Sequence, residues 1–207
     1  MTGRYIALEG IEGAGKSTVA ALVGQWLQSH GLDVVYVREP GGTPTGERIR
    51  DILLDPDGAV APWTEAMLFA ASRAQLVRDI VRPALLDGRW VISDRSVYSS
   101  LAYQGIGRGL GLAEVRRVNE AGLDGVWPDL VVLLRLDPTI GWEREAVKDR
   151  FAAEGLDLQH RVSRAFDTLS SDEPQRFLSV DASEPAADVV AAICRHLEKR
   201  WLTSSAT

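Results

Sequence analysis

One run near the start of the chain, Gly10-Ile11-Glu12-Gly13-Ala14-Gly15-Lys16-Ser17-Thr18, holds the residue types that phosphate chemistry needs. It fits G-x-x-x-x-G-K-[ST], in which glycines let backbone N–H groups converge on phosphate oxygens. In that pattern Lys16 reaches the β- and γ-phosphates and Ser17 offers its hydroxyl to Mg²⁺. Lysine is scarce in this chain: Lys16, Lys148 and Lys199 stand against twenty arginines, and one of the three fills the loop position. Residues 5–8 before the run read as a buried strand, and 19–27 behind it as an amphipathic helix. The loop therefore opens onto a helix N-terminus, whose partial positive charge favours anions. We read it as a nucleotide phosphate site rather than a glycine-rich turn that binds nothing.

Further candidates follow later strands. Arg38-Glu39-Pro40-Gly41-Gly42-Thr43-Pro44 reads as a rigid, turn-rich loop headed by an arginine. Arg38 is either a bidentate phosphate clamp or a surface residue at a strand end. Asp94-Arg95-Ser96 follows an apolar run. Asp94 suits Mg²⁺ or its water shell, caps the next helix, or does both, while Arg95 is placed to neutralise phosphate charge. Residues 97–109 are dense in hydroxyls and amides before a glycine run, and read as a base- and sugar-reading stretch ending in a loop. Around Asp149-Arg150-Phe151 cluster Arg144, Lys148, Arg161 and Arg164. Such a run is either a solvated helix face or a mobile basic lid that stabilises a transition state.

These residues need a scaffold, and the rest of the chain supplies one. Strand signals at 5–8, 34–37, 90–93, 130–136 and 177–180 alternate with helical periodicity at 16–29, 47–53, 63–86, 112–121, 139–148, 156–169 and 185–202. Alternation of this kind predicts an α/β fold: a parallel sheet with helices on both faces, binding ligands at the carboxyl ends of its strands. At 207 residues with no repeat or low-complexity linker, one domain is expected. A net charge of −6 argues against broad nucleic-acid binding. The lone Cys194 lies in an apolar helical pattern and reads as core. With the first strand starting at once and no run of membrane-spanning length, no signal peptide and a cytoplasmic location are expected.

Together the motifs resemble the thymidylate kinase family. The likeness runs from Tyr5 to about Phe166 and rests on residues 8–18, Arg38–Pro44, Leu68-Phe69-Ala70-Ala71-Ser72-Arg73-Ala74-Gln75, Asp94-Arg95, Ser99-Ser100-Leu101-Ala102-Tyr103-Gln104-Gly105 and Asp149-Arg150-Phe151. The resemblance implies a P-loop NTPase fold, a five-stranded parallel sheet with helices on both faces and a short lid at about residues 143–156. It implies phosphoryl transfer from ATP to dTMP, with Mg²⁺ as cofactor, in a homodimer. ATP would lie along Gly10, Ile11, Glu12, Gly13, Ala14, Gly15, Lys16, Ser17 and Thr18, with Arg144, and Mg²⁺ at Ser17 and Asp94. For dTMP the resemblance implies stacking by Phe69, a base contact from Arg73, further contacts from Ser99, Ser100 and Gln104, and crowding of a ribose 2′-hydroxyl by Tyr103. Glu12, Arg38 and Arg95 would sit at the acceptor sugar and phosphate.

No basic residue lies between Gly10 and Gly15, so the resemblance places the chain with members whose catalytic arginine comes from the lid: Arg150 first, Arg144 second. Ser96 and Leu158 stand where the family commonly has aromatics. A GTPase switch would need an [NT]-K-x-D motif; around Lys148 and Lys199 none exists. Another nucleotide kinase, or a non-catalytic nucleotide-binding module, remains as an alternative. The apolar pattern at 63–86, with Leu101, is a candidate dimer face.

Overall fold

The computed structural model describes residues 3–144 and 155–202. Five strands form one parallel sheet in the order β2-β3-β1-β4-β5, with β1 Tyr5–Glu9, β2 Val34–Arg38, β3 Trp90–Asp94, β4 Leu130–Arg135 and β5 Phe177–Asp181. β1 lies at the centre, flanked by β3 (Leu8 opposite Asp94) and β4 (Glu9 opposite Leu133). Because a strand's side chains alternate, β1 and β3 feed both faces. Ile6 and Ile92 join a large apolar cluster with Val19, Val23 and Leu27 of helix α1 (Lys16–Ser29). Tyr5 and Val91 join a smaller one with Leu76 of α3 (Pro62–Leu76) and Ala84 of α4 (Arg82–Leu86). Buried on both faces, these strands read as continuous apolar runs. In a parallel sheet the strands end on one side, so Gly10, Arg38 and Asp94 are neighbours there.

Helices α2 (Pro44–Leu54), α6 (Leu112–Leu123), α7 (Pro138–Arg144), α8 (Leu156–Asp172) and α9 (Ala186–Leu197) follow the expected pattern. α2 starts three residues before the periodicity does: Pro44 occupies its first turn and Thr43 caps it, Oγ1 accepting from the Gly46 N–H at 2.9 Å. The expected 63–86 helix is two helices joined by a π-helical turn, Val77–Val81, with the Arg82 N–H bonding back to the Val77 carbonyl. Pro83 has no N–H to continue the regular ladder, and the wider turn accommodates it.

The stretch after β3 is more regular than its composition suggests. Residues 97–109 read as hydroxyl-rich chain ending in a loop, yet α5 (Val97–Ser100) passes directly into a π-helical segment, Leu101–Gly107. Serine, glycine and tyrosine are weak helix formers. Burial of Tyr98, Leu101, Ala102 and Tyr103 overrides that propensity, and Leu101 belongs to the core rather than to an exposed face. Cys194 is buried on α9, as expected, and burial pushes its thiol up to about 11.

Candidate functional site

At the carboxyl ends of the strands opens a cavity of about 500 Å³, a size that suits a small-molecule ligand. It gathers residues from distant parts of the chain. Glu12, Gly13, Gly15, Lys16, Ser17, Thr18, Arg38, Phe69, Asp94, Arg95, Ser99, Tyr103, Gln104 and Arg144, all singled out from sequence, line it. Gly10, Ile11 and Ala14 form the buried underside of the loop instead. Arg73 and Ser100 lie behind the wall. Arg150 falls outside the described residues.

The phosphate loop owes its shape to glycine. Gly13 sits at φ 72°, and a Cβ there would collide with the Gly141 carbonyl in the middle of α7. Gly15, at φ 85°, turns the chain into α1. Lys16 is buried, its Nζ donating to the carbonyls of Ile11 at 2.7 Å and Gly10 at 3.2 Å. Burial, with Arg95 nearby, lowers its pKa against the pull of Glu12, Asp94 and Glu9. Ser17 donates its hydroxyl to the Asp94 carboxylate. A hydroxyl and a carboxylate oxygen thus meet at the cavity edge. Mg²⁺ takes few protein oxygens and fills its shell with phosphate and water, so this pair fits such an ion. Among the described residues no three His, Cys, Asp or Glu side chains form a self-sufficient metal cluster.

Arg95 joins the loop to the opposite wall. It is a non-glycine residue at φ 74°, a conformation that costs about 1 kcal/mol and recurs at functional sites. The Leu8 carbonyl takes its N–H at 3.0 Å, and its own carbonyl accepts from Ser93 Oγ at 2.6 Å, which hold the backbone there. Its guanidinium pairs with Glu12 at 2.6 Å, donates to the Gly10 carbonyl and Ser99 Oγ, and lies over the Tyr103 ring. Burial alone would raise the Glu12 pKa, but Arg95 and Lys16 together outweigh it and hold the carboxyl low. Arg38 is half-exposed and pairs with Glu47 at 2.8 Å. Arg144 lies at the far edge, donating to the Ala182 carbonyl at 3.2 Å.

The far wall is made by α3 and α5. Phe69 faces the cavity, while Arg73, one turn on, is 2% exposed. It is therefore no surface residue. Its Nε donates to Glu39 Oε2 at 2.7 Å, and its two terminal nitrogens donate to Asn119 Oδ1 and to the Ser96 carbonyl. Asn119 is locked in turn by its own Nδ2 on the Val115 carbonyl. Glu39 has an oxygen, Oε1, with no partner among the described residues. Its burial, against the opposing pull of Arg73, pushes its carboxyl up to about 7.

Several contributors escaped the sequence reading. Glu9 is fully buried and accepts from the N–H and the hydroxyl of both Ser96 and Ser99, at 2.6–3.0 Å, tying the start of α5 to the end of β1. Burial, only partly offset by Arg95 and these bonds, raises its pKa. Glu65 holds Gln104 and Arg108, and Gln159 Oε1 accepts from the Glu12 N–H at 3.3 Å. Arg50 and Leu54 of α2 also line the cavity. One signal was available: Glu65, Phe69 and Arg73 recur at every fourth position of α3, a single helix face.

The thymidylate kinase family model matches residues 8–193. The thymidylate kinase of Chromobacterium violaceum is 43% identical over 200 residues, 95% of this chain and 94% of that protein. That of Deinococcus radiodurans is 45% identical over 201 residues, covering 96% and 98%. That of Magnetococcus marinus is 44% identical over 209 residues, covering 99% and 100%.

Proposed function

The chain belongs to the thymidylate kinase family, and from that premise we propose how its cavity carries out the family's reaction. It transfers the γ-phosphoryl of ATP to dTMP, giving ADP and dTDP. Both reactants carry phosphates, so the work lies in holding them in line and neutralising charge; no covalent enzyme intermediate is needed. The triphosphate lies along residues 10–18, with Lys16 moving from its loop carbonyls to the β- and γ-oxygens. Ser17 and Asp94 would hold Mg²⁺, which would supply positive charge to offset that of the phosphates. Arg38 and Arg95 take the acceptor phosphate, and Glu12, kept ionised, fixes the Arg95 guanidinium beside it. Phe69 stacks on the base, Arg73 donates to its carbonyl edge from its remaining N–H groups, Ser99, Ser100 and Gln104 complete the base and sugar contacts, and Tyr103 excludes a 2′-hydroxyl. Arg150 comes from the stretch that joins α7, ending at Arg144 beside the cavity, to α8, and it stabilises the transferring group.

The observation that best supports this reading is Arg95: one guanidinium touches both the phosphate loop at Gly10 and the acceptor wall at Ser99 and Tyr103. We further propose that residues 1–207 act as one kinase domain in the cytoplasm, and as a homodimer. Among the described residues no helix is long and apolar enough to cross a membrane. Ile52 on α2 and Trp63 and Met67 on α3, two helices packed together, expose apolar surface that a second copy would cover.

The test is coupled ADP release with ATP–Mg²⁺ and dTMP, dUMP, UMP, dCMP, AMP or thymidine as acceptor. Turnover is expected to be strongest with dTMP and poor with UMP. Another monophosphate in first place would overturn the acceptor assignments while leaving the loop chemistry; tight ATP binding without turnover would mark a non-catalytic module.

A further inference from the structure

We infer that Glu65 is a positioning residue that sets the sign of base recognition, by forcing Gln104 to present its carbonyl oxygen, and not its amide nitrogen, to the ring of the acceptor. The inference rests on the acceptor site proposed above. Glu65 is on α3 and is 0% exposed. Its Oε1 accepts from Gln104 Nε2 at 2.8 Å and from Arg108 Nε at 3.1 Å, and its Oε2 accepts from the Arg108 terminal nitrogen at 2.9 Å. The guanidinium thus grips the carboxylate with two parallel bonds, the geometry that best fixes an orientation. A carboxylate so held only accepts, so Gln104 meets it with N–H. The amide oxygen then points away from Glu65.

Gln104 lines the cavity, is 1% exposed, and has no group donating to its oxygen among the described residues. One turn before it, Ser100 carries a buried hydroxyl that likewise lacks a partner. A cavity-lining amide oxygen that no group donates to, with an unpartnered hydroxyl buried one turn behind it, in a wall that also carries Phe69, marks a place where a ligand completes the hydrogen bonding. An acceptor oxygen there requires a donor on the ligand. Thymine and uracil carry a hydrogen on ring nitrogen N3; cytosine carries a lone pair there. The oxygen of Gln104 therefore welcomes dTMP and dUMP and repels dCMP. Turned over, the same amide would do the reverse. Glu65 forbids the turn.

The experiment compares kcat/KM for dTMP, dCMP and N3-methyl-dTMP, which lacks the hydrogen, in wild type, Glu65→Gln and Gln104→Ala. A buried hydrogen-bonding site rejects an analogue that leaves its groups unpaired, so wild type should strongly prefer dTMP over both others. In Glu65→Gln the amide facing Gln104 offers either a donor or an acceptor. The dTMP:dCMP and dTMP:N3-methyl-dTMP ratios should each contract roughly ten- to a hundredfold, with KM for ATP unchanged. A purely structural role for Glu65 would lower all three acceptors alike, and an unaltered ratio would overturn the inference. Gln104→Ala separates the two levels. If it contracts the ratios and Glu65→Gln does not, the base site stands and the Glu65 role falls; if Gln104→Ala leaves them unaltered, the base site itself is wrong. Should Glu65→Gln not fold, Glu65→Asp replaces it. That variant keeps the charge for Arg108 but withdraws the carboxylate from Gln104, and the same contraction is expected.

Discussion

At the phosphate loop nine consecutive residues open onto the N-terminus of α1, a local arrangement in which backbone N–H groups are the phosphate-binding groups. The acceptor wall draws its polar atoms from across the chain: Arg73 meets Glu39 over 34 residues and Asn119 over 46, Gln104 meets Glu65 over 39, and Ser99 meets Glu9 over 90. The difference is one of construction. A loop shaped by glycines is rigid because few backbone conformations satisfy it. A wall of charged side chains is rigid only because each one is paired with another that is buried beside it. The first kind of site should lose chemistry without losing stability when its key side chain is removed. The second should lose both, and should respond to pH.

Lys16→Met tests the donor end and carries the largest expected effect. Its kcat should fall on the order of 10³-fold, because the ammonium acts only where charge builds up on the transferring group. Unfolding in denaturant should show no loss of stability, since burial already disfavours this charge. A kcat within tenfold of wild type would mean that the backbone cradle alone does the work. Arg95→Met tests the seam between the two ends. Its kcat should fall about 10²-fold, KM for dTMP should rise, and stability should drop by about 2 kcal/mol, because Glu12 is left beside the loop without its partner. Adding Glu12→Gln should return part of the stability and none of the activity. If the double variant is no more stable than Arg95→Met alone, the pair is not what holds the seam.

The two constructions also explain what could be read in advance. The loop, its strand and its helix were legible because their signal is local: glycine spacing, an apolar run and a 3.6-residue period. α1 and all five strands were found where expected to within a residue or two. Helix α5 was missed because its residues favour other local structure and only burial, with Glu9 at its start, makes them helical. For the same reason Glu9 and Glu39 read only as members of their motifs, with no role of their own, and Glu65 does not stand out at all. A glutamate in a helix or beside a glycine turn looks solvent-exposed in sequence, and nothing local reveals the arginine or serines that cover it. Arg38 and Arg95 were legible as a pair at strand ends, but the difference between them was not: one is half-exposed against Glu47, the other enclosed by Glu12, Ser99 and Tyr103.

The smallest effect is expected at Glu39, and it separates the two ends most cleanly because it needs no substrate. The Glu39 carboxyl is buried against Arg73, with Glu9 and Tyr5 also near enough to interact, and burial raises its pKa from the ordinary glutamate value of 4.5 to about 7. Below pH 4.5 folded and unfolded chains both hold this proton. Between 4.5 and 7 the unfolded chain has released it and the folded chain keeps it, so the native state binds more protons and stability falls as pH rises. Above about pH 7 both states are ionised and the dependence on this group ends. Glu39→Gln removes the titration while its amide oxygen still accepts from Arg73. The stability of wild type relative to this variant should therefore decline by about 3 kcal/mol between pH 4.5 and 7.5 and stay nearly level above that. Glu9 titrates in both proteins, so only its coupling to Glu39 enters the difference. Urea unfolding at half-unit pH intervals reads the result directly. Parallel curves would mean that Glu39 ionises like an exposed glutamate, and that the acceptor wall is held by packing rather than by its charges.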